Sequence, residues 1–340
     1  MDQRFQVKLI APIKILFQEP KKIVITTHSR PDGDAIGSSL GLYNYLIQKN
    51  HQVEVIVPND YPEFLKWIPG NDVIVNYETD PVKANRVIAE AELIFCLDYN
   101  SMNRIDKMEK PVRESAAVKI LIDHHLDPEN VYDHIYSFPD SCATSELIYE
   151  FIIAMDDRSL VNKDVASCLY AGIMTDTASF RFASMKADTH RTIAKLMEAG
   201  AVNYKIHELI YDTNTENRLR LLGHCLKDKL IVIPEYNTAY ISLTQEELDN
   251  YHFETGDTEG IVNYALSINK IMFAAFFSLR DGVVRISFRS KDNFPANEVA
   301  REYFQGGGHK NAAGGKSDLS LDDTIKKFID ILPYYKQQLV

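Results

Sequence analysis

Thr27-His28-Ser29-Arg30-Pro31-Asp32-Gly33-Asp34-Ala35-Ile36-Gly37-Ser38-Ser39 closes an apolar run and opens an amphipathic one. Before it, Ile23-Val24-Ile25-Thr26 is short and β-branched; after it, Leu40, Leu42, Tyr43, Leu46 and Ile47 recur at helical spacing. The stretch therefore reads as a strand-to-helix turn, and His28, Asp32 and Asp34 fall at the carboxyl end of a strand, where open α/β sheets place their ligands. Gly33 and Gly37 permit a tight turn. A histidine and two carboxylates crowded into it are unfavourable without a cation. Taken alone, the turn is equally well explained as a solvated Asp-Gly turn leading into a helix N-cap.

The remainder of the chain weighs between these readings. Its 340 residues are enough for about two domains, and 45% hydrophobic with 25% charged residues is ordinary for a globular protein. No apolar run approaches the roughly 20 residues of a membrane span. The N-terminus interleaves Asp2, Arg4, Gln6 and Lys8 with apolar residues and has no signal-peptide core, so a cytoplasmic location is expected. Cys96, Cys142, Cys168 and Cys225 are scattered among apolar neighbours without a Cys-x-x-Cys pair, which suits reduced core thiols. A net charge of -11 argues against a broad footprint for duplex nucleic acid, which needs many Lys or Arg contacts to phosphate. A small anion held by a local basic site is still compatible with it.

From the turn outward, strand and helix alternate. After an N-terminal helix near Phe5 to Gln18, strands are predicted at Lys22 to Thr27, Val53 to Pro58, Leu93 to Leu97 and Val118 to Ile122, with a helix from Ile36 to Lys49. This rhythm predicts an α/β fold, a mostly parallel sheet with helices on both faces. Helices follow near Ala143 to Ala154, with Ser141 as N-cap, Lys163 to Met174, with Asn162 as N-cap, Thr189 to Ala199 and Lys205 to Tyr211. A polar, helically spaced segment at 214–229 reads as a connector between a first domain at 1–213 and a smaller α+β domain at 230–340. In the latter, strands are expected at Leu230 to Ile233, Thr238 to Leu243, Ile271 to Leu279 and Val283 to Arg289, with Asp281-Gly282 as a hairpin turn. Helices at Gly260 to Ser267, Ala296 to Phe304 and Leu321 to Ile331 would cover one face of that sheet.

The polar residues at element ends in the first domain are His28, Asp32, Asp34, Asp98, Asp123, His124, His125 and Asp176. All are oxygen or imidazole donors, a set that favours Mn2+ or Mg2+ over structural zinc. They are too many for one ion. Two divalent ions about 3.5–4 Å apart, sharing a carboxylate and a water, are the usual answer for phosphoester hydrolysis. By itself Asp123-His124-His125 reads as a strand-end turn with satisfied histidines; a Ser-His-Asp triad fails for want of a nucleophile, since no Gly-x-Ser-x-Gly elbow is present. Asp176 by itself reads as a helix-terminal carboxylate.

A second feature is Gly306-Gly307-Gly308-His309-Lys310-Asn311-Ala312-Ala313-Gly314-Gly315. Its glycines permit close approach of a ligand, and His309 and Lys310 supply positive charge for a phosphate. It is neither a Gly-x-Gly-x-x-Gly nor a Walker loop. Arg289, in Ser287-Phe288-Arg289-Ser290, is a candidate for the same anion, since a guanidinium grips phosphate bidentately.

Taken in order, the His28 to Asp34 turn with Gly37-Ser38, the lone Asp98, Asp123-His124-His125, Thr175-Asp176-Thr177, and Gly306-Gly307-Gly308-His309 with Ala312-Ala313-Gly314 resemble the DHH phosphoesterases that carry a DHHA1 C-terminal domain. The resemblance covers nearly the whole chain and is nearest the subgroup of bifunctional oligoribonucleases (nanoRNases) and adenosine 3′,5′-bisphosphate phosphatases. Ala178 departs from it, since relatives often carry glycine there. The resemblance implies an active site in the interdomain cleft and a cofactor of two Mn2+, with Mg2+ or Co2+ as alternatives. His28, Asp32 and Asp98 would hold one ion and Asp34, Asp98, His124 and Asp176 the other. Asp98, Asp123 and His125 would be catalytic, Asp123 orienting and His125 serving the leaving oxygen after attack by a metal-bridging hydroxide. Arg289, Gly307, Gly308, His309 and Lys310 would bind the nucleotide end of the substrate. The implied substrates are short single-stranded oligoribonucleotides and adenosine 3′,5′-bisphosphate, with no duplex nucleic acid, no membrane, and a homodimer as one assembly option. Linear or cyclic diadenylate, polyphosphate and pyrophosphate are the alternative substrates; a nucleotide sensor without catalysis is the alternative of another class.

Overall fold

The computed structural model describes residues 4, 5, 7–182 and 184–340, and divides them into two compact units at 213/214. In the first unit, β1 (Lys22–Thr26), β2 (Gln52–Val57), β3 (Ile74–Asn76), β4 (Leu93–Leu97), β5 (Val118–Asp123) and β6 (His134–Ser137) form one parallel sheet in the order β3-β2-β1-β4-β5-β6. Alternate strand residues feed two cores. Ile23, Ile25, Val55, Phe95 and Ile122 pack toward helices Gly33–Leu46, Thr144–Ala154 and Lys163–Asp176, while Val24, Ile56, Ile94, Cys96 and Leu121 pack toward Ala84 and Ile88 of helix Pro81–Glu90 and Val112 of helix Glu109–Glu114. The near-continuous β-branched runs of β1 and β5 reflect this burial from both sides. The strand order reverses direction between β1 and β4, a switch point where doubly wound sheets open a crevice at the carboxyl ends of their strands.

Several elements differ from expectation. β3, β6 and helix Pro81–Glu90 were not foreseen, the strands because three or four residues carry too little periodicity. The helix expected from Ile36 begins at Gly33 and is buried on nearly every side rather than amphipathic. It lies against helix Lys163–Asp176 so closely that a Cβ at Gly37 would fall 2.7 Å from the Cys168 carbonyl, and one at Gly33 would fall 2.2 Å from Thr175 Oγ1. Glycine at these two positions is therefore a packing requirement. Asn162 caps its helix as expected, accepting from the Asp164 and Val165 amides. Ser141 does not cap: helix Thr144–Ala154 has Ala143 at its N-cap position, and Ser141 Oγ instead donates to Glu146 Oε2 at 2.6 Å. The four cysteines are buried and free. Among the described residues, no helix is long and apolar enough to cross a membrane.

The second unit holds β7 (Leu230–Ile233), β8 (Thr238–Leu243), β9 (Phe273–Arg280), β10 (Val283–Ser290), β11 (Gly307–His309) and β12 (Ala312–Ser317), ordered β11-β12-β10-β9-β8-β7. Only β8 and β9 pair in parallel. Asp281 and Gly282, both at positive φ, turn β9 into β10 as their sequence predicted. The helices do not all lie on one face. Helices Ala296–Tyr303 and Leu321–Ile331 cover Phe273, Phe277, Ile286 and Phe288, whereas helices Glu216–His224 and Ile261–Ser267 cover Ala239, Ile241, Ala274 and Phe276 on the other. Helix Glu216–His224 thus packs as part of this unit through Leu221. In the glycine segment, residues 307–309 and 312–314 pair as an edge hairpin, stabilised by backbone hydrogen bonds that need no side chains.

Candidate metal centre

Five chain segments bring the first unit's donors together. His28 follows β1 and Asp98 follows β4, the latter at φ 63, a left-handed conformation that Asp tolerates better than most residues. Asp123 ends β5, with His124 and His125 directly after it, and Asp176 ends helix Lys163–Asp176. Asp32 occupies the N-cap of helix Gly33–Leu46, its Oδ1 accepting from the Asp34 and Ala35 amides, so the plain capping reading of this turn holds for Asp32. The same oxygen lies 3.8 Å from His28 Nε2, so capping does not exclude a place in the cluster.

Asp98 is the hub. Its Oδ2 lies 3.4 Å from His28 Nε2 and its Oδ1 lies 3.4 Å from His124 Nε2, with Thr144 Oγ1 donating to Oδ1 at 2.9 Å. His124 Nε2 also lies 3.9 Å from Asp34 and 3.6 Å from Asp176. Three groups of donor atoms, His28-Asp32-Asp98, Asp34-His124-Asp176 and Asp98-Asp123-His125, each fall within 4.8 Å of one another. The two outer imidazoles are aimed by main-chain carbonyls: His28 Nδ1 faces the Ser29 oxygen at 3.0 Å and His124 Nδ1 the Ser141 oxygen at 3.4 Å. A carbonyl only accepts, so Nδ1 carries the proton and Nε2 turns to the carboxylates. Asp123 orients His125 rather than either of these, its Oδ1 lying 2.7 Å from His125 Nδ1.

The electrostatics of the cluster call for a cation. Burial opposes charge on His28, but Asp32 and Asp98 prevail and lift its pKa to about 10. Burial likewise opposes ionisation of Asp98, and its flanking histidines outweigh it, holding the carboxyl well below the usual range. Asp34 goes the other way: burial, then the charges of Asp98 and Asp176, push its pKa well up. Among the described residues no lysine or arginine pairs with Asp34 or Asp98, and Asp123 Oδ2 is buried without a hydrogen-bond partner. Hard oxygen donors with a few imidazoles, which give up their extra protons when they ligate a metal, and one carboxylate left to repel its neighbours, fit divalent Mn2+ or Mg2+.

Residues that the sequence reading did not single out complete the frame. Asp34 accepts the amides of Thr144 (2.6 Å) and Ser145 (2.8 Å), and so serves from more than a hundred residues away as the cap that Ala143 lacks. A Cβ at Gly172 would fall 1.9 Å from Ser145 Oγ and 2.9 Å from Asp34 Oδ1, so this glycine makes room for the contact. Behind Ser141, Glu146 accepts from its hydroxyl and pairs at 3.6 Å with Arg4. No local sequence signal marks Thr144, Gly172 or Arg4, because each acts across a long separation in the chain.

The second unit carries its own group. Arg289 of β10, Ala312 of β12 and His309 of β11 stand in one cross-strand row and so share a face of the sheet. Gly307 lies on that face and Gly308 on the other, where φ of 135 and an Ala312 carbonyl 2.6 Å from any Cβ demand glycine. Lys310, in the hairpin turn, is exposed and donates to Asn293 Oδ1 at 2.9 Å.

Comparison with known proteins agrees with this geometry. The N-terminal domain of the DHH family matches residues 22–173, and the DHHA1 domain matches residues 238–334. The chain is 27% identical over 313 residues to the bifunctional oligoribonuclease and PAP phosphatase NrnA of Bacillus subtilis, covering 91% of this chain and 93% of the relative. It is also 27% identical to the protein of that name from Thermus thermophilus, covering 96% and 93%. A crystal structure of an exopolyphosphatase-related protein from Bacteroides fragilis superposes with a TM-score of 0.94 at 42% identity, covering 98% of this chain and 97% of that one. With both domains present and relatives of this kind aligned along nearly its full length, the chain belongs to the DHH family of hydrolases, with a DHHA1 domain as its second unit.

Proposed function

We propose that this protein is a Mn2+-dependent phosphoesterase that shortens very short oligoribonucleotides to mononucleotides and converts adenosine 3′,5′-bisphosphate to AMP. The observation that carries the reading is Asp98, set between His28 and His124 and within reach of the Asp123–His125 pair. The names of the Bacillus and Thermus relatives support the choice of substrates. His28, Asp32 and Asp98 would hold one ion, and Asp34, Asp98, His124 and Asp176 the other. Such a pair supplies charge neutralisation at the phosphoryl oxygens and a nucleophile near neutral pH.

The chain's own groups provide the rest. Asp123 fixes His125 through Nδ1, leaving Nε2 to protonate the departing oxygen as its bond to phosphorus breaks. Burial keeps Asp34, Asp98 and Asp123 fixed, so these carboxylates need no reorganisation during the reaction. On the second unit, Arg289 and His309 would grip a phosphate or the nucleotide end. The exopolyphosphatase-related neighbour favours a second reading, cleavage of polyphosphate. Purified protein with Mn2+ should cleave RNA of two to five residues and adenosine 3′,5′-bisphosphate faster than inorganic polyphosphate or pyrophosphate. The reverse order would replace the first reading by the second, and Asp98→Ala with near-normal Mn2+-dependent turnover would remove the role given to Asp98.

A further inference from the structure

The face of the second unit's sheet that carries Arg289 and His309 holds a second basic row. Arg285 of β10 and Lys316 of β12 are direct cross-strand partners, four residues along β10 from Arg289. Like charges placed opposite one another destabilise a sheet. Among the described residues, neither has an ion-pair partner to relieve this. Helices cover the β8–β9 half of this face, but on β10, β12 and β11 it stays half-exposed or open. Between the two rows lie Gly314 and Gly307, paired with each other, and a Cβ would meet nothing at Gly307 and only the Ile286 carbonyl, at 3.8 Å, at Gly314. Packing does not demand glycine at these two positions, in contrast to Gly306, Gly308 and Gly315.

We infer that Arg285 and Lys316 form a second phosphate subsite for the backbone of a single-stranded oligoribonucleotide, with the Gly314–Gly307 floor allowing the intervening nucleotide to lie close to the sheet. The inference rests on the proposed action on short RNA. The rows are about 14 Å apart at roughly 3.4 Å per strand residue. That exceeds the spacing of neighbouring phosphates, so a dinucleotide or a nucleoside bisphosphate engages only one row. Strands of three or more residues reach both, and the Arg285–Lys316 row sets the preference for them.

The test compares wild type with an R285A/K316A variant of the full chain, with turnover stopped by EDTA, binding fluorescent di- and pentaribonucleotides across a salt series. Each phosphate neutralised on a single strand contributes a slope of about -0.7 to log K against log salt, so the pentanucleotide slope should become shallower by about 1.4 in the variant. Its affinity should fall several-fold, with the dinucleotide changed far less. Charge-retaining R285K/K316R should keep the wild-type slope, and thermal melting of each variant reports its folding. A pentanucleotide slope unchanged in R285A/K316A, or equal losses for both lengths, would overturn the subsite while leaving the proposed function standing. Failure of the wild type to bind either RNA in EDTA would overturn the subsite, and failure of the Mn2+-loaded wild type to cleave either would overturn the proposed function.

Discussion

Replacing Asp34 by Asn should stabilise the protein without metal and destabilise it, relative to wild type, with metal. Asp34 is 1% exposed and accepts two amides at the start of helix Thr144–Ala154. Its donor oxygen lies within 4.8 Å of that of Asp176, a separation at which two unit charges repel by about 3.5 kcal/mol at an effective dielectric of about 20. Asparagine removes the repulsion and retains one acceptor, but presents an N–H to the second helix amide, leaving a buried donor unsatisfied at a cost of about 1–3 kcal/mol. The balance favours the metal-free variant by about 1–2 kcal/mol, or roughly 2–8 °C in Tm for a unit of this size. Because the folded pKa of Asp34 is raised, its own contribution to the stability of the metal-free wild type is complete in acid and is lost as pH rises through that value. The advantage of the variant therefore grows with pH and vanishes in acid. At a free Mn2+ concentration of about 100 times Kd the wild type gains about 2.7 kcal/mol, which the variant, lacking a ligand, forgoes. Thermal denaturation followed by circular dichroism at pH 8, in EDTA and in Mn2+, should show the ranking invert. An Asn variant less stable by the same margin in both solutions would mean that the carboxylate is a helix cap with no cation to serve, and the electrostatic argument for the centre would fail.

Asp123→Asn should lower kcat on an RNA dinucleotide by about 100-fold or more, by releasing His125, with little change in KM; a loss seen mainly as weakened Mn2+ binding in calorimetry would contradict the orienting role. Gly172→Ala should cost about 1–3 kcal/mol and weaken Mn2+ binding, since its Cβ drives into Ser145 and Asp34, whereas Gly223→Ala, in open space on a helix, should raise Tm slightly. Glu247 caps its helix with Thr244 and pairs with Lys229 at 2.8 Å; these partners and His224 outweigh burial and hold its pKa down to about 2. Its contribution is thus complete above the unfolded pKa of about 4.3 and is lost as pH falls toward 2. Glu247→Gln should lower stability by about 1–2 kcal/mol at neutral pH and flatten urea-measured stability across that acid window.

The sequence was most informative where a strand end and a donor coincide. β4 running into Asp98 and β5 into Asp123-His124-His125 are apolar runs stopped by charge, and a parallel sheet aligns such ends at one edge, so both fold and cluster followed from the same local pattern. What stayed hidden acts through space. Ser141 had the composition of an N-cap, yet the helix begins three residues later because Asp34, fixed on another helix by the Gly37 and Gly172 contacts, already satisfies its first amides. Capping propensity is a local preference, and a buried carboxylate delivered by tertiary packing overrides it. The glycine segment was opaque for a related reason: glycine says that backbone comes close to something, and only the register shows which glycines answer to their own chain. Gly308 and Gly315 answer to neighbouring backbone within 3 Å. Gly307 and Gly314 do not, and they lie between two rows of positive charge. Chain packing therefore accounts for the first two, and a ligand lying against the sheet accounts for the others.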